Sequence, residues 1–285
     1  MRPLITFFIV SICNLSLASL AYAQDSSKPT FILKPGLVWM ENDKPAIGLQ
    51  VGLKYKDEKT ITSDAAYPRI RSLDINMDGS LLINPDMNPN TQKADLFWGY
   101  LISFEKSEDI TLGVQPESNK DFGSLGLGVD LIYEANQSFT EQNLEGGAEL
   151  RFQNTSKVFM PVFHAAFRFV VPVVSDIRDV LNEDNELYQR LNLNLSWNIP
   201  LFQQKRFIIA PEFNYFYSLN LAPAIENTGL NEGFHGKVNL AYAFEGVDKP
   251  VLRYMKHVFI QYNNGQLPVY LDNLESIEAG LTFSL

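Results

Sequence analysis

The chain is almost without cysteine: among 285 residues only Cys13 carries a thiol. A disulfide framework and a cysteine-ligated zinc site are thereby excluded. Positive charge is scarce as well, with 23 Lys and Arg against 33 Asp and Glu and a formal net charge of −10. No basic footprint is offered to phosphates, so nucleic acid is excluded as a partner. Beyond Leu20 no stretch approaches the ~18 consecutive apolar residues of a membrane-spanning helix, which excludes a helical bundle. Hydrophobicity itself is not lacking. At 46% apolar and 12% aromatic, the composition is too rich for a disordered chain.

The N-terminus has the build of an export signal. Met1-Arg2 gives a short positive region, Leu4 to Leu20 an apolar one, and Ala21-Tyr22-Ala23 fits the small-x-small cleavage rule. The expectation is a cleaved signal peptide over 1–23, leaving Gln24 as the first residue and 24–285 as a single domain. Cys13 leaves with the signal, so the exported chain carries no thiol, as suits an oxidising compartment.

After the signal the dominant pattern is alternation at period two, in segments of ~9–13 residues separated by turn-rich stretches. AIGLQVGLKYK sets Ile47, Leu49, Val51, Leu53 and Tyr55 against Gly48, Gln50, Gly52 and Lys54. SLGLGVDLIYE sets Leu125, Leu127, Val129, Leu131 and Tyr133 against Gly126, Gly128, Asp130 and Glu134. ELYQRLNLNLSWNI is the cleanest: Leu187, Leu191, Leu193, Leu195 and Trp197 oppose Arg190, Asn192, Asn194, Ser196 and Asn198.

A soluble sandwich turns such an apolar face inward, with strands usually of ~5–6 residues. A transmembrane barrel turns it outward to lipid, needs ~9–11 tilted residues per strand, and keeps amides and charges inside. The lengths match the barrel, and aromatics near strand ends (Trp39, Trp98, Trp197, Tyr242) suit its interfacial girdles. The segments 30–40, 46–56, 69–83, 94–105, 110–115, 123–134, 144–152, 158–171, 187–199, 206–220, 234–245, 254–262 and 275–285 all read as strand. Single-chain bacterial barrels have even counts, so the shortest, 110–115, is assigned to a connection. The fold expected is all-β: a transmembrane antiparallel up-and-down β-barrel of about twelve strands, within roughly ten to fourteen. QQK at 203–205 and NTSK at 154–157 become short periplasmic turns, and the segments near 136–143, 172–186, 221–233 and 263–274 outer loops. DIRDVLNEDNE, 176–186, reads first as a solvated acidic loop, with a short amphipathic loop helix as the alternative.

The terminal octad Glu278-Ala279-Gly280-Leu281-Thr282-Phe283-Ser284-Leu285 resembles the C-terminal assembly signal of bacterial outer-membrane barrels. Its carriers here are Glu278, Gly280, Phe283 and Leu285, the last standing where phenylalanine is commoner. The resemblance implies barrel-assembly machinery and outer-membrane lipid as partners. A second resemblance covers Tyr254 to Leu285 alone, where KHVFIQYNNG followed by VYLDN is similar to the last hairpin of outer-membrane phospholipase A. That family is a twelve-stranded barrel hydrolase with a His-x-Ser-Asn-Gly motif, in which histidine is general base and serine nucleophile. The motif is absent here: His164, His235 and His257 are followed two residues later by Ala166, Lys237 and Phe259. The resemblance therefore implies architecture and no catalytic residue.

Asp74, Asn76 and Asp78, followed by Gly79, match the first half of a calcium loop. Position twelve is Pro85 instead of glutamate, and no helical pattern flanks the run, so it reads as a strand with inward polar residues. No other cofactor is implied. The function expected is a narrow, porin-like channel for small solutes in the outer membrane of a Gram-negative-type bacterium. Arg168, Arg190, Glu212, His235 and Lys237 are its candidate lumen-lining, selectivity-setting charges. The alternatives are a phospholipase-like barrel, for which no nucleophile–base pair is found, and a structural or adhesion barrel presenting its outer loops.

Overall fold

A computed structural model describes residues 29–40, 46–62, 69–82, 92–104, 123–136, 138–153, 161–201, 206–244, 255–269 and 274–284. Nearly all of these are strand. β1 (Thr30–Met40), β2 (Ala46–Thr62), β3 (Arg69–Leu82) and β4 (Gln92–Phe104) come first. β5 (Gly123–Ala135), β6 (Glu141–Gln153) and β7 (Val162–Ser175) follow. Then come β8 (Tyr188–Ser196), β9 (Ile199–Leu201) and β10 (Phe207–Leu219). β11 (Glu232–Ala243), β12 (Met255–Gly265) and β13 (Leu274–Ser284) end the chain. Sequence neighbours pair antiparallel, β8 and β9 both pair with β10, and β1 pairs with β13. The pairings thus run from β1 to β13 and back to β1 without a free edge, as an up-and-down barrel should.

β8 and β9 are two halves of one stave. Ser196 opposes Glu212 and Ile199 opposes Ile209, so the register does not slip between them. At the break Trp197 donates its N–H to the carbonyl of Pro211 at 3.0 Å, and proline has no N–H to return. Counted this way the barrel has twelve staves. The segment 110–115 lies outside the described residues. Several boundaries depart from the sequence reading. β2 runs on to Thr62. β6 begins at Glu141 and β11 at Glu232, β7 continues to Ser175 past a bulge beside Pro172, and β12 to Gly265, so strand replaces part of each of the four expected outer loops.

At 176–186 the alternative reading holds, since Asp176–Leu181 form a short helix rather than an irregular acidic loop. Ser175 caps it, its hydroxyl oxygen accepting from the Arg178 N–H at 3.2 Å, and Asp176 and Asp179 sit in the first turn, where the helix dipole favours them. Glu141 at the head of β6 anchors the cap by accepting from the Ser175 hydroxyl at 2.7 Å and the Ile177 N–H at 3.0 Å. A second short helix, Pro223–Glu226, lies against the first at the same rim.

Polarity is inverted relative to a soluble protein. Along β7 the residues alternate between cover and exposure: Ala166, Arg168 and Val170 are buried, whereas Phe167, Phe169, Val171 and Val173 face out. Phe169 is 49% exposed and its neighbour Arg168 only 8%. Leu127, at 64%, stands on the outside of β5 while Asp130 and Glu134 on the same strand are buried. An apolar outer surface over a charged interior is stable only where hydrocarbon, not water, surrounds the barrel. The fold is a transmembrane β-barrel. Among the described residues no helix is long and apolar enough to cross a membrane, so the strands do the crossing.

The seam between the first and last staves is tight. Gly36 on β1 directly opposes Gly280 on β13. A Cβ at Gly280 would stand 2.3 Å from the Pro35 carbonyl oxygen, and one at Gly36 2.6 Å from that of Ala279. Two glycines let these backbones approach where side chains would hold them apart.

Candidate functional site in the lumen

Inward positions alternate along every stave, so the lumen wall is the polar half of each strand. On β5 to β8 that half is densely charged. Arg168 donates from Nε and Nη2 to Asp130 at 2.8 and 2.6 Å, and its Nη2 lies 3.5 Å from Glu149. Arg190 pairs with Glu145 at 2.5 Å and lies 3.6 Å from Glu134. It also donates to the Tyr188 hydroxyl, with its guanidinium 5.5 Å from that ring. Arg151 bonds Glu149 at 2.6 Å along its own strand and Asp74 of β3 at 2.5 Å. His164 completes the group, its Nδ1 3.0 Å from the Glu149 carboxylate.

From β8 round to β13 the wall is richer in amides. Asn194 and Asn214 oppose each other in register, and Asn194 Nδ2 donates to Asn214 Oδ1 at 2.5 Å. Asn214 Nδ2 donates to Glu212 at 3.2 Å, and Lys237 closes on the other oxygen of that carboxylate at 2.5 Å. Asn263 donates to Ser276 at 3.0 Å and to Glu278 at 2.9 Å, and Gln50 of β2 donates to Glu278 at 2.7 Å. Glu278 thereby ties β12, β13 and β2 together around the seam.

Two cavities lie along this lumen. The first, of about 360 Å³, is bordered by the charged wall, the amide wall and Gln266, Leu267 and Pro268 beyond the end of β12. The second, of about 380 Å³, is bordered by Thr30, Lys54, Tyr55, Lys56, Asp74, Asn76, Arg151 and His164. His164 borders both, and the Asp74–Arg151 pair borders the second.

All five residues singled out as lumen-lining from the sequence, Arg168, Arg190, Glu212, His235 and Lys237, border the first cavity. The sequence reading missed Glu145, Glu149 and Arg151. Their signal was present in GAELRF, where Glu149 and Arg151 alternate with Leu150, a residue that faces out. Of the C-terminal set, Glu278 is buried and inward, Gly280 is at the seam, and Phe283 opposes Leu33. Leu285 lies outside the described residues.

Asp74, Asn76 and Asp78 lie on β3 as alternate residues of an extended strand, which sets successive members of the run ~6–7 Å apart, whereas the oxygens of a calcium loop converge on one ion. Among the described residues no group of three or more His, Cys, Asp or Glu is placed to hold a metal. Of the histidines, His164 Nδ1 lies 3.0 Å from Glu149, both ring nitrogens of His235 are buried without a hydrogen-bond partner, and His257 opposes Thr282 in the register of β12 against β13.

No family model matches this sequence, and no curated protein matches it. Several solved barrels align with it in structure. The NanC porin does so at a TM-score of 0.42 and 9% identity, over 90% of this chain and 100% of that one. OmpF of Salmonella typhi, solved with daunomycin, aligns at 0.39 and 11%, over 91% and 97%. The KdgM porin, in complex with disordered oligogalacturonate, aligns at 0.34 and 9%, over 89% and 99%. These likenesses are of general fold.

Proposed function

We propose that the chain is a narrow, porin-like channel that admits small polar solutes through the outer membrane of a Gram-negative-type bacterium. The observation that carries this reading is a charged, hydrogen-bonding lumen holding two cavities inside a barrel whose outer surface is apolar. A twelve-stave lumen lies between the interior that side chains fill in an eight-strand barrel and the open channel of a sixteen-strand porin, which suits a narrow path. Selectivity belongs to the charges bordering the first cavity, Arg168, Arg190, Glu212, His235 and Lys237. The signal over 1–23 is removed after Ala23, and Glu278, Gly280, Phe283 and Leu285 present the last strand to the assembly machinery. The likeness of the last hairpin to outer-membrane phospholipase A is one of architecture, with no hydrolysis attached to it.

The test is conductance of the refolded barrel in a planar bilayer, with heat-modifiable migration as the check on folding. Discrete current steps are expected. A folded barrel that never raises the current above the bare bilayer overturns the channel reading. N-terminal sequencing of the membrane-extracted protein should begin at Gln24.

A further inference from the structure

One end of the first cavity is covered by apolar side chains. Ile132, Val170, Tyr188 and Phe216 stand on the inward rows of β5, β7, β8 and β10, in line with Asp130, Arg168, Arg190 and Asn214. In a water-filled lumen such side chains would be wet, yet all four are buried and Val170 is 0% exposed. Other protein must lie over them. Two connections at this rim contribute buried apolar residues of their own: Ile225 of the helix Pro223–Glu226, and Val269 beyond the end of β12. Gln266 donates its N–H to the Phe234 carbonyl at 2.9 Å, and Gln266, Leu267 and Pro268 border the cavity. The segment 266–269 therefore lies across the lumen and not away from it.

The helix Asp176–Leu181 supplies a fastening. Its Arg178 is buried, which is unusual for a cation on a short rim helix and means that the side chain turns inward. The guanidinium lies 5.5 Å from the Tyr188 ring and donates from Nη1 to the Asp184 carbonyl at 2.7 Å. Arg190 meets the same ring from the lumen wall, also at 5.5 Å, and lies 5.7 Å from the Phe216 ring. Arg178, Tyr188, Arg190 and Phe216 thus run as one stack from the rim helix into the cavity wall. Arg178 is held by a ring and a carbonyl, whereas Arg190 is held by the Glu145 carboxylate. A cation on a ring parts more readily than a buried ion pair, so the rim end of the stack yields before the wall does.

We infer that these rim segments form a lid over the first cavity, latched by Arg178 on the Tyr188 ring, whose release lets small polar solutes pass. As a lid it rests on the barrel alone; as a gate it rests on the channel reading.

The experiment is thiol accessibility in the refolded barrel in detergent, in a Cys13→Ser background that leaves no other thiol. Ile225→Cys and Val269→Cys place the probe in the lid, and Val180→Cys, at a position 85% exposed, gives the open limit. A water-soluble maleimide should label both lid positions well over tenfold more slowly than Val180→Cys. Adding Tyr188→Ala should speed lid labelling about tenfold, the factor expected when a desolvated cation–ring contact is lost. Tyr188→Phe, which keeps the ring, should stay within about threefold. Arg178→Ala parts the latch from the other side and serves should Tyr188→Ala fail to migrate as a folded barrel. Lid thiols that label as fast as Val180→Cys overturn the inference. So does labelling indifferent to both alanine substitutions, or a Tyr188→Phe barrel as fast as Tyr188→Ala. In planar bilayers the alanine variants should lengthen the open time about tenfold and leave the height of the current step unchanged. An unaltered open time beside faster labelling would overturn the lid as a gate. Faster labelling without current steps would sink the channel and leave the lid standing. Current steps with labelling indifferent to the latch would do the reverse.

Discussion

The guanidinium of Arg151 on β6 closes to 2.5 Å on the carboxylate of Asp74 on β3, spanning the two staves between them. The residues are 77 positions apart in the chain. Such a bond is a bar across part of the lumen. It borders the second cavity, while Glu149 and His164, in contact with each other and with the first cavity, lie beside it.

Removing the bar should therefore widen the path. Arg151→Ala is expected to raise single-channel conductance severalfold in planar bilayers while the protein still migrates as a folded barrel. Unchanged conductance would mean that the narrowest point lies elsewhere.

The Glu212–Lys237 pair, at 2.5 Å, gives a test of selectivity. Glu212→Gln leaves the Lys237 ammonium uncompensated and should shift the reversal potential in a salt gradient toward anion preference. Lys237→Gln leaves the carboxylate and should shift it toward cation preference. If the two variants moved the potential in the same direction, the pair would not be in the conducting path.

Which face meets lipid can be read from folding energetics. Leu127→Arg places a charge on the outer face of β5 and should destabilise the barrel by about 2–4 kcal/mol near the bilayer midplane. Asn194→Arg, directed into the first cavity beside Glu212, should leave folding nearly unchanged and alter conductance instead. Urea titration of barrels refolded in vesicles measures both, and equal losses would contradict the assignment of faces.

The seam should tolerate no side chain. Gly280→Val brings a Cβ to 2.3 Å from the Pro35 carbonyl oxygen, and relieving that overlap should cost about 1–3 kcal/mol. Gly146→Ala is the control, because its Cβ would meet nothing closer than 3.7 Å. The same urea titration applies, and a Gly280→Val barrel as stable as the control would show that β1 and β13 can separate without loss.

Much of this was legible in the chain itself. Period two is a local property: each strand had to place one residue class on each side, so Leu127 and Asp130 were already assigned to opposite faces by their spacing. Strand length then separated a lipid-spanning barrel from a sandwich, and the even-count rule discarded 110–115 to leave twelve staves. Inward charges such as Arg168, Glu212 and Lys237 followed from the same alternation. The helix at Asp176–Leu181 stood second to an acidic loop in the sequence because its cap depends on Ser175 being held by Glu141, which belongs to the neighbouring strand.

Partners were another matter. That Glu212 meets Lys237 depends on the register of β10 against β11, and that Arg151 finds Asp74 depends on the curvature that brings β3 within reach of β6. Alternation says that a side chain points inward, but not at what height or across which chord it will meet another. The cavities, the bar and the unpartnered His235 arise from those meetings. They exist only once the ladder of pairings has run from β1 to β13 and returned.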